Sequence, residues 1–247
     1  MNTRVDWEQL ASVFSSTVAA SVESHLDLAR AFAEGRLHEG REVGEWIAGY
    51  LQRPLRFLDV GAGNGGVAFG VGNIATHEVH ALDLIPNSAF RDLRRALGAN
   101  LATQTVGSGH AIPFRDETFD VVLCLETLEH IEDPPSLGRE IMRVLKRGGM
   151  CMVMTPARVR YLFRADPHFG VRGLLMLPDA LQRFVVTRLL RLTNDYDVVH
   201  TFWSLRGITS LFPGHTSYEP LFNNPLPPGT IWYTFRRWLW DRVLIFK

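Results

Sequence analysis

The chain has 247 residues, 46% of them hydrophobic, which is enough for one sizeable core and argues against two independent domains. Basic and acidic side chains number 26 each, so there is no net charge to set up a long-range field for nucleic acid. Two cysteines, Cys124 and Cys151, give neither a disulfide framework nor a metal set, and a reducing, cytoplasmic compartment is the expectation.

The N-terminus opens with Asp6 and Glu8, and its weakly apolar stretch is interrupted by Ser15, Ser16, Thr17 and Ser21, unlike a secretory signal. No uninterrupted run reaches the ~20 apolar residues of a membrane span, so a soluble or peripheral protein is expected. From Trp7 to Tyr50 apolar residues recur at helical spacing (Trp7, Leu10, Val13, Phe14; later Val43, Trp46, Ile47, Tyr50), predicting two or three helices that end before Pro54. The pattern then changes. "LRFLDV", "EVHALD" (Glu78–Asp83), "FDVVLCL" (Phe119–Leu125) and "GMCMVMTP" (Gly149–Pro156) read as strands. Asn87–Gly98 and Pro135–Lys146 read as helices between them, the second stopped by Gly148 and Gly149. Alternating strands and helices imply parallel crossovers and a doubly wound α/β sheet. Further on, "SLRGITSLF" predicts a helix, and "HTSYEP" and "DRVLIFK" predict strands.

Gly61, Gly63 and Gly66 satisfy G-x-G-x-x-G after the first strand, and Asp83 lies where a ribose-binding acid belongs in a dinucleotide site. Asp59 argues against that ligand. It stands two residues before the first glycine, where a pyrophosphate would rest on the following helix N-terminus, and its charge would repel phosphate. A cationic or amine-bearing ligand suits the position better.

On these residues "LDVGAGNGG" resembles the first motif of class I S-adenosylmethionine-dependent methyltransferases, whose cofactor carries a sulfonium, an ammonium and no phosphate. "VHALDL" and the stretch "IPFRDETFDVVLCLETLEHIEDPPSLGREIMRVLKRGGMCMVMTP" continue the likeness, which covers about Leu55–Pro156 well and the remainder loosely. It implies a Rossmann-like, mostly parallel, seven-stranded sheet with N-terminal helices and a helical insertion after the fifth strand. The cofactor it implies is S-adenosylmethionine, held by Asp59, Gly61, Gly63, Asn64, Gly65, Asp83, Leu84, Ser108, Gly109, His110, Cys124 and Leu125. The glycines would let the backbone pass under the methionine part, and Asp83 would accept from both ribose hydroxyls. Ser108 departs from the Asp that usually meets the adenine amino group and would accept that bond more weakly.

"ETLEHIED" is similar to the E-x-x-E-H pattern of ubiquinone-biosynthesis O-methyltransferases, where the cluster is associated with a divalent metal. Glu126, Glu129 and His130, at i, i+3 and i+4, can share one helix face; the competing reading is a pocket wall, and no metal is assigned. His130, Glu126 and His168 of "RADPHFG" are the candidate catalytic groups, the histidines because an imidazole titrates near neutral pH. His168 reads equally as a loop residue tied down by Asp166.

Pro156–Leu192 carries seven arginines (Arg158, Arg160, Arg164, Arg172, Arg183, Arg188, Arg191) against Asp166 and Asp179. A helical wheel over Leu181–Leu192 sets an apolar arc opposite arginines. That pattern fits either a helix packed on the domain or peripheral contact with an anionic membrane through 174–192 and the aromatic, basic 231–240. The chain is expected to be one domain, with helical 1–53, cofactor-binding 54–156, substrate-side 157–200 and C-terminal 201–247. The function expected is methyl transfer from S-adenosylmethionine to a small-molecule or lipid-linked acceptor at oxygen, with no nucleic-acid partner. Its rivals are a catalytically degenerate cofactor-binding protein, an NAD-dependent oxidoreductase, and a nucleic-acid methyltransferase. The last lacks its Asn/Asp-Pro-Pro-aromatic signature, since "EDPP" is followed by Ser136.

Overall fold

The computed structural model describes residues 23–74, 77–97, 101–155, 162, 165, 169–193, 205–214, 218–221 and 242–246. These fall in two compact units, residues 1–123 with 143–149 and residues 124–142 with 150–247.

In the first unit, α1 (Glu23–Leu51) leads to β1 (Arg56–Val60), α2 (Gly66–Gly72), β2 (Glu78–Asp83), α3 (Ser88–Leu97) and β3 (Thr103–Val106). β1 pairs in parallel with β2 and with β4 (Phe119–Leu125), and β2 pairs in parallel with β3. Phe57, Leu58 and Val60 of β1 and every residue of β4 are buried, as expected of strands covered on both faces. The first residues of β5 (Leu145–Thr155) lie beside β4, since a methyl placed on Gly149 would sit 2.9 Å from the Asp120 carbonyl oxygen. Asp120 ties the start of the sheet together, accepting from Arg53 at 2.9 Å, the Arg56 amide at 2.9 Å and Lys146 at 3.0 Å. Burial alone would raise its carboxyl, but these donors hold it below the usual carboxylate range.

Of the stretch predicted to hold two or three helices, one 29-residue helix, α1, covers Glu23–Leu51 and ends before Pro54, and residues 1–22 lie outside the described residues. Its glycines are contact points. Methyl groups on Gly40 or Gly70 would run into the backbone of the facing helix, at Val67 and Leu37 respectively, so α1 and α2 pack at backbone distance. The helix α4 (Pro134–Val144) ends earlier than predicted, and β5 starts at Leu145, so Gly148 and Gly149 lie within the strand. Leu145 is 5% exposed and Lys146 reaches Asp120, contacts that hold the segment to the sheet before the glycines are reached.

In the second unit, β5 pairs antiparallel with β7 (Arg242–Phe246), which pairs antiparallel with β6 (Tyr218–Leu221). A one-turn 3-10 helix, Leu128–His130, follows β4, and α6 (Leu205–Thr209) precedes β6. The helix predicted across 181–192 is α5 (Asp179–Phe184) continued by a π turn at Val185–Leu189. Buried Val186 and Leu174 pack with Phe169, Val171, Leu177 and Val185, and the Gln182 amide donates to the Leu177 carbonyl at 2.7 Å. Leu181, Phe184, Leu189, Leu190 and Leu192 are exposed.

Candidate functional site

The first unit gathers most of the sequence-predicted residues around the turn between β1 and α2. Gly61 and Ala62 both donate their amides to the Leu82 carbonyl, at 2.8 and 3.0 Å, which fixes the turn to the end of β2. Gly61, Gly63 and Gly65 have φ of 73°, 53° and 83°, so the turn needs the left-handed conformations that glycine adopts without strain. A methyl on Gly65 would overlap the Phe90 ring, whereas one on Gly63 would meet no atom within 4 Å. Gly63 therefore borders open space. Asn64 accepts from the Gly66 amide at 2.9 Å and starts α2.

Asp83 ends β2 half-buried and accepts from the Gly63 amide at 2.7 Å and the Ile85 amide at 3.2 Å. Its neighbours Leu84 and Ile85 are each 67% exposed, an apolar lip beside a carboxylate. Beyond β3, Gly107 donates to the Asp83 carbonyl at 2.9 Å, bringing Ser108, Gly109 and His110 to the same end of the sheet. Ser108 accepts the His110 amide at 3.1 Å and closes its own turn.

Asp59 is 3% exposed, and its Oδ2 has no hydrogen-bond partner among the described residues. Burial pushes its carboxyl up from 3.8 to about 7, opposed by the Arg36 guanidinium and the Ala68 amide and reinforced by Glu39 and Asp83. Arg36 and Glu39, on α1, form an ion pair at 2.7 Å. Sequence reasoning missed both residues, because nothing local marks a helical arginine as a neighbour of a strand 23 positions later.

The second unit holds the remaining candidates. Cys124 and Leu125 are buried at the end of β4, and Cys124 and Cys151 are both free thiols. Glu126 has φ of 57°, left-handed for a non-glycine residue, and its amide donates to the Met154 carbonyl at 2.9 Å. Glu126 and His130 are exposed, but Glu129 is 1% exposed and accepts from the Thr155 hydroxyl at 3.2 Å. The three side chains therefore do not share one face: the helix is a single 3-10 turn that begins after Glu126. Among the described residues no three His, Cys, Asp or Glu side chains form a group that could hold a metal ion. His168 and the stretch 231–240 lie outside the described residues.

A parallel sheet whose first strand runs into a pinned glycine turn, with an acid ending the second strand, defines the Rossmann-like class of nucleotide-binding folds. At that turn sits the buried Asp59 carboxyl, one oxygen of which has no hydrogen-bond partner among the described residues. Residues 58–153 match the family model of the methyltransferase domain. Members of this family use S-adenosylmethionine as methyl donor.

Two relatives illustrate the likeness. A malonyl-[acyl-carrier protein] O-methyltransferase of Halorhodospira halophila is 34% identical over 120 residues, 47% of this chain and 41% of that one. A ubiquinone/menaquinone biosynthesis C-methyltransferase of Roseobacter denitrificans is 29% identical over 169 residues, 62% of this chain and 67% of its own. The chain spans less than half the length of the first relatives it matches, 41%, 26% and 37%. Among solved structures, a Pyrococcus horikoshii protein superimposes with a TM-score of 0.56 at 19% identity, covering 85% of this chain and 88% of that one. A candidate S-adenosyl-L-methionine-dependent methyltransferase of Methanococcus maripaludis gives 0.53 at 15%, covering 88% and 89%. At such identities the structures speak for the fold alone.

Proposed function

We propose that this protein transfers a methyl group from S-adenosylmethionine to a small-molecule or lipid-linked acceptor, at oxygen. The observation that carries the reading is Asp59, a buried carboxylate with an unpartnered oxygen at the foot of the glycine turn, where a pyrophosphate would be repelled and an ammonium stabilised. The residues proposed to hold the cofactor in the first unit are Asp59, Gly61, Gly63, Asn64, Gly65, Asp83, Leu84 and Ser108–His110. Open space at Gly63 admits a ligand along the backbone, and Asp83 with the exposed Leu84 suits a ribose beside an apolar ring. When bound, the cofactor supplies an activated methyl, so the protein's contribution is alignment and exclusion of water. His130 is the proposed proton acceptor for a hydroxyl, with Glu126 the alternative; both are exposed in the second unit.

Matched relatives include O-, N- and C-methyltransferases, and the choice of oxygen leans on the malonyl-carrier relative. We further propose that 54–156 is the cofactor core of a seven-stranded sheet, with 157–200 a substrate-side insertion. Exposed apolar and arginine side chains alternate over Leu181–Leu192, which fits peripheral contact with an anionic membrane and a lipid-linked acceptor. No described helix is long and apolar enough to cross a membrane.

Calorimetric titration with S-adenosylhomocysteine and separately with NAD⁺, on the wild type and Asp83→Ala, tests the cofactor. Saturable binding of the thioether alone, lost in the variant, is expected; binding of NAD⁺ would make the oxidoreductase reading lead.

A further inference from the structure

The segment from Asp179 to Leu192 has a packed inner side and an outer side that an uninterrupted α-helix would not present. Gln182 and Val186 are both 0% exposed; the Gln182 amide donates to the Leu177 carbonyl at 2.7 Å, and Val186 packs with Leu174. The apolar stripe of an α-helix runs i, i+4, i+7, so the residue that should continue Gln182 and Val186 is Leu189. It is instead 66% exposed. The π turn at Val185–Leu189 is the cause. The Leu190 amide donates to the Val185 carbonyl at 2.8 Å, and the Leu192 amide to the Val186 carbonyl at 2.9 Å, both reaching further back than the four residues of an α-helix. The wider turn takes Leu189 off the buried stripe, and Leu190 and Leu192 follow it outward, 45% and 50% exposed.

The charges on this stretch have one sign. Arg188 and Arg191 are exposed, and no acidic residue occurs from Ala180 to Thr193. Arg191 has φ of 51°, a left-handed position at the end of the helix that suits glycine, yet an arginine stands there. A polyanion such as nucleic acid would satisfy the arginines and leave three leucines in water. A bilayer with anionic headgroups takes both, the guanidinium groups at its phosphates and the leucines among its acyl chains.

We propose that the π turn makes this segment an interfacial anchor: Leu189, Leu190 and Leu192 enter the acyl layer of an anionic bilayer, and Arg188 and Arg191 hold its phosphates. The inference rests on the membrane reading given above and deepens it by naming the residues that insert and the backbone feature that turns them outward. It draws nothing from the cofactor site.

The test uses the full chain with vesicles of phosphatidylcholine alone and of phosphatidylcholine mixed with phosphatidylglycerol. Cys124 and Cys151 are buried, so Leu189→Cys accepts an environment-sensitive fluorophore selectively, and Arg41→Cys, on the exposed side of α1, is the control. On mixed vesicles the label at 189 is expected to shift to the blue and to be quenched by spin-labelled acyl chains, while the label at 41 stays in water. Arg188→Gln combined with Arg191→Gly removes both charges and suits the left-handed position. It is expected to weaken mixed-vesicle binding about 30-fold, about fivefold for each arginine, with no loss of melting temperature. A label at 189 that stays in water on bound vesicles, or an affinity unchanged in the arginine variant, overturns the anchor while peripheral contact stands. Absence of binding to either vesicle removes the membrane reading and this inference together. Tighter binding of a single-stranded oligonucleotide than of mixed vesicles assigns the arginines to nucleic acid, and self-association without vesicles that Leu189→Ser abolishes assigns the leucines to a second copy; either overturns the proposal. Calorimetric titration with S-adenosylhomocysteine, expected to be unchanged in every variant, reports on the cofactor site, so failure of one reading is seen apart from failure of the other.

Discussion

Asp59→Asn isolates the electrostatic cost built into the turn. In the native protein burial holds this carboxyl at about 7 instead of 3.8. A carboxyl whose folded value is raised keeps its proton longer in the native state than in the unfolded chain. Its contribution to stability is then complete below 3.8 and is lost as pH rises through about 7. At 1.36 kcal/mol per pH unit, the window amounts to about 4 kcal/mol of native stability lost between pH 4 and pH 8. Asparagine cannot ionise and recovers that loss. It also buries an amide donor with no partner at Oδ2, costing about 1–2 kcal/mol at every pH. The variant should therefore match or fall slightly below the wild type at pH 5 and exceed it by about 2 kcal/mol at pH 8. For a chain of this size that is a rise of roughly 4–8 °C in melting temperature. Arg36, Glu39, Asp83 and the Ala68 amide face the same carboxyl and are unchanged by the substitution, so the difference between the two proteins, melted in parallel from pH 5 to 8, is the readout. Binding should move the opposite way. S-adenosylhomocysteine affinity of the wild type should rise through pH 7 as Asp59 ionises to meet the ammonium, and Asp59→Asn should lose that rise. A melting difference that stays constant with pH would refute the assignment of the cost to Asp59.

Glycine substitutions separate folding from binding. Gly65→Ala, with φ of 83° and the Phe90 ring in the way, should cost about 3 kcal/mol by chemical denaturation, whereas Gly63→Ala, with φ of 53° and open space, should cost about 1 kcal/mol yet abolish S-adenosylhomocysteine binding. Unchanged affinity in Gly63→Ala would mean that no ligand passes over that residue. Arg143 donates to the Ile112 and Phe114 carbonyls at 2.9 Å each and to Asp116 at 2.7 Å; Arg143→Ala should cost about 2 kcal/mol and speed amide exchange over 107–118, and protection equal to the wild type would show that the loop holds itself. Replacing exposed Phe184 and Leu189 by Ser should abolish salt-sensitive sedimentation with anionic vesicles at unaltered melting temperature; absent or salt-independent sedimentation of the wild type would remove the membrane reading.

What could be read from sequence follows how local the cause of each feature is. β1 and β4 are continuous apolar runs because both of their faces are covered, and the run is visible without any partner. β3 is "TQTV", with residues that are half-buried or exposed, and such a strand has no apolar signature of its own. The apolar spacing of α1 was legible, but the reason for Gly40 was not, because it makes room for the backbone of α2, a cause found only in the facing helix. Among the candidate site residues, the glycines, Asp59 and Asp83 lie in one strand–turn–strand unit and could be singled out together. Glu129 was grouped with Glu126 and His130 by spacing, but Thr155, 26 positions later, receives it in the interior.

Arg36 extends this contrast to the site itself. Its position near Asp59 depends on two glycines in different helices, and the acid lies in a strand that neither helix contains, so no window of sequence could have contained the cause. The same distance explains why Asp59 looks costly in isolation. A buried carboxylate with an unpartnered oxygen is unfavourable to the empty fold, and the nearby guanidinium, itself paired with Glu39, offsets that cost only in part. A ligand carrying its own cation would offset the rest, which ties an unfavourable feature of the first unit to the ligand it is proposed to bind.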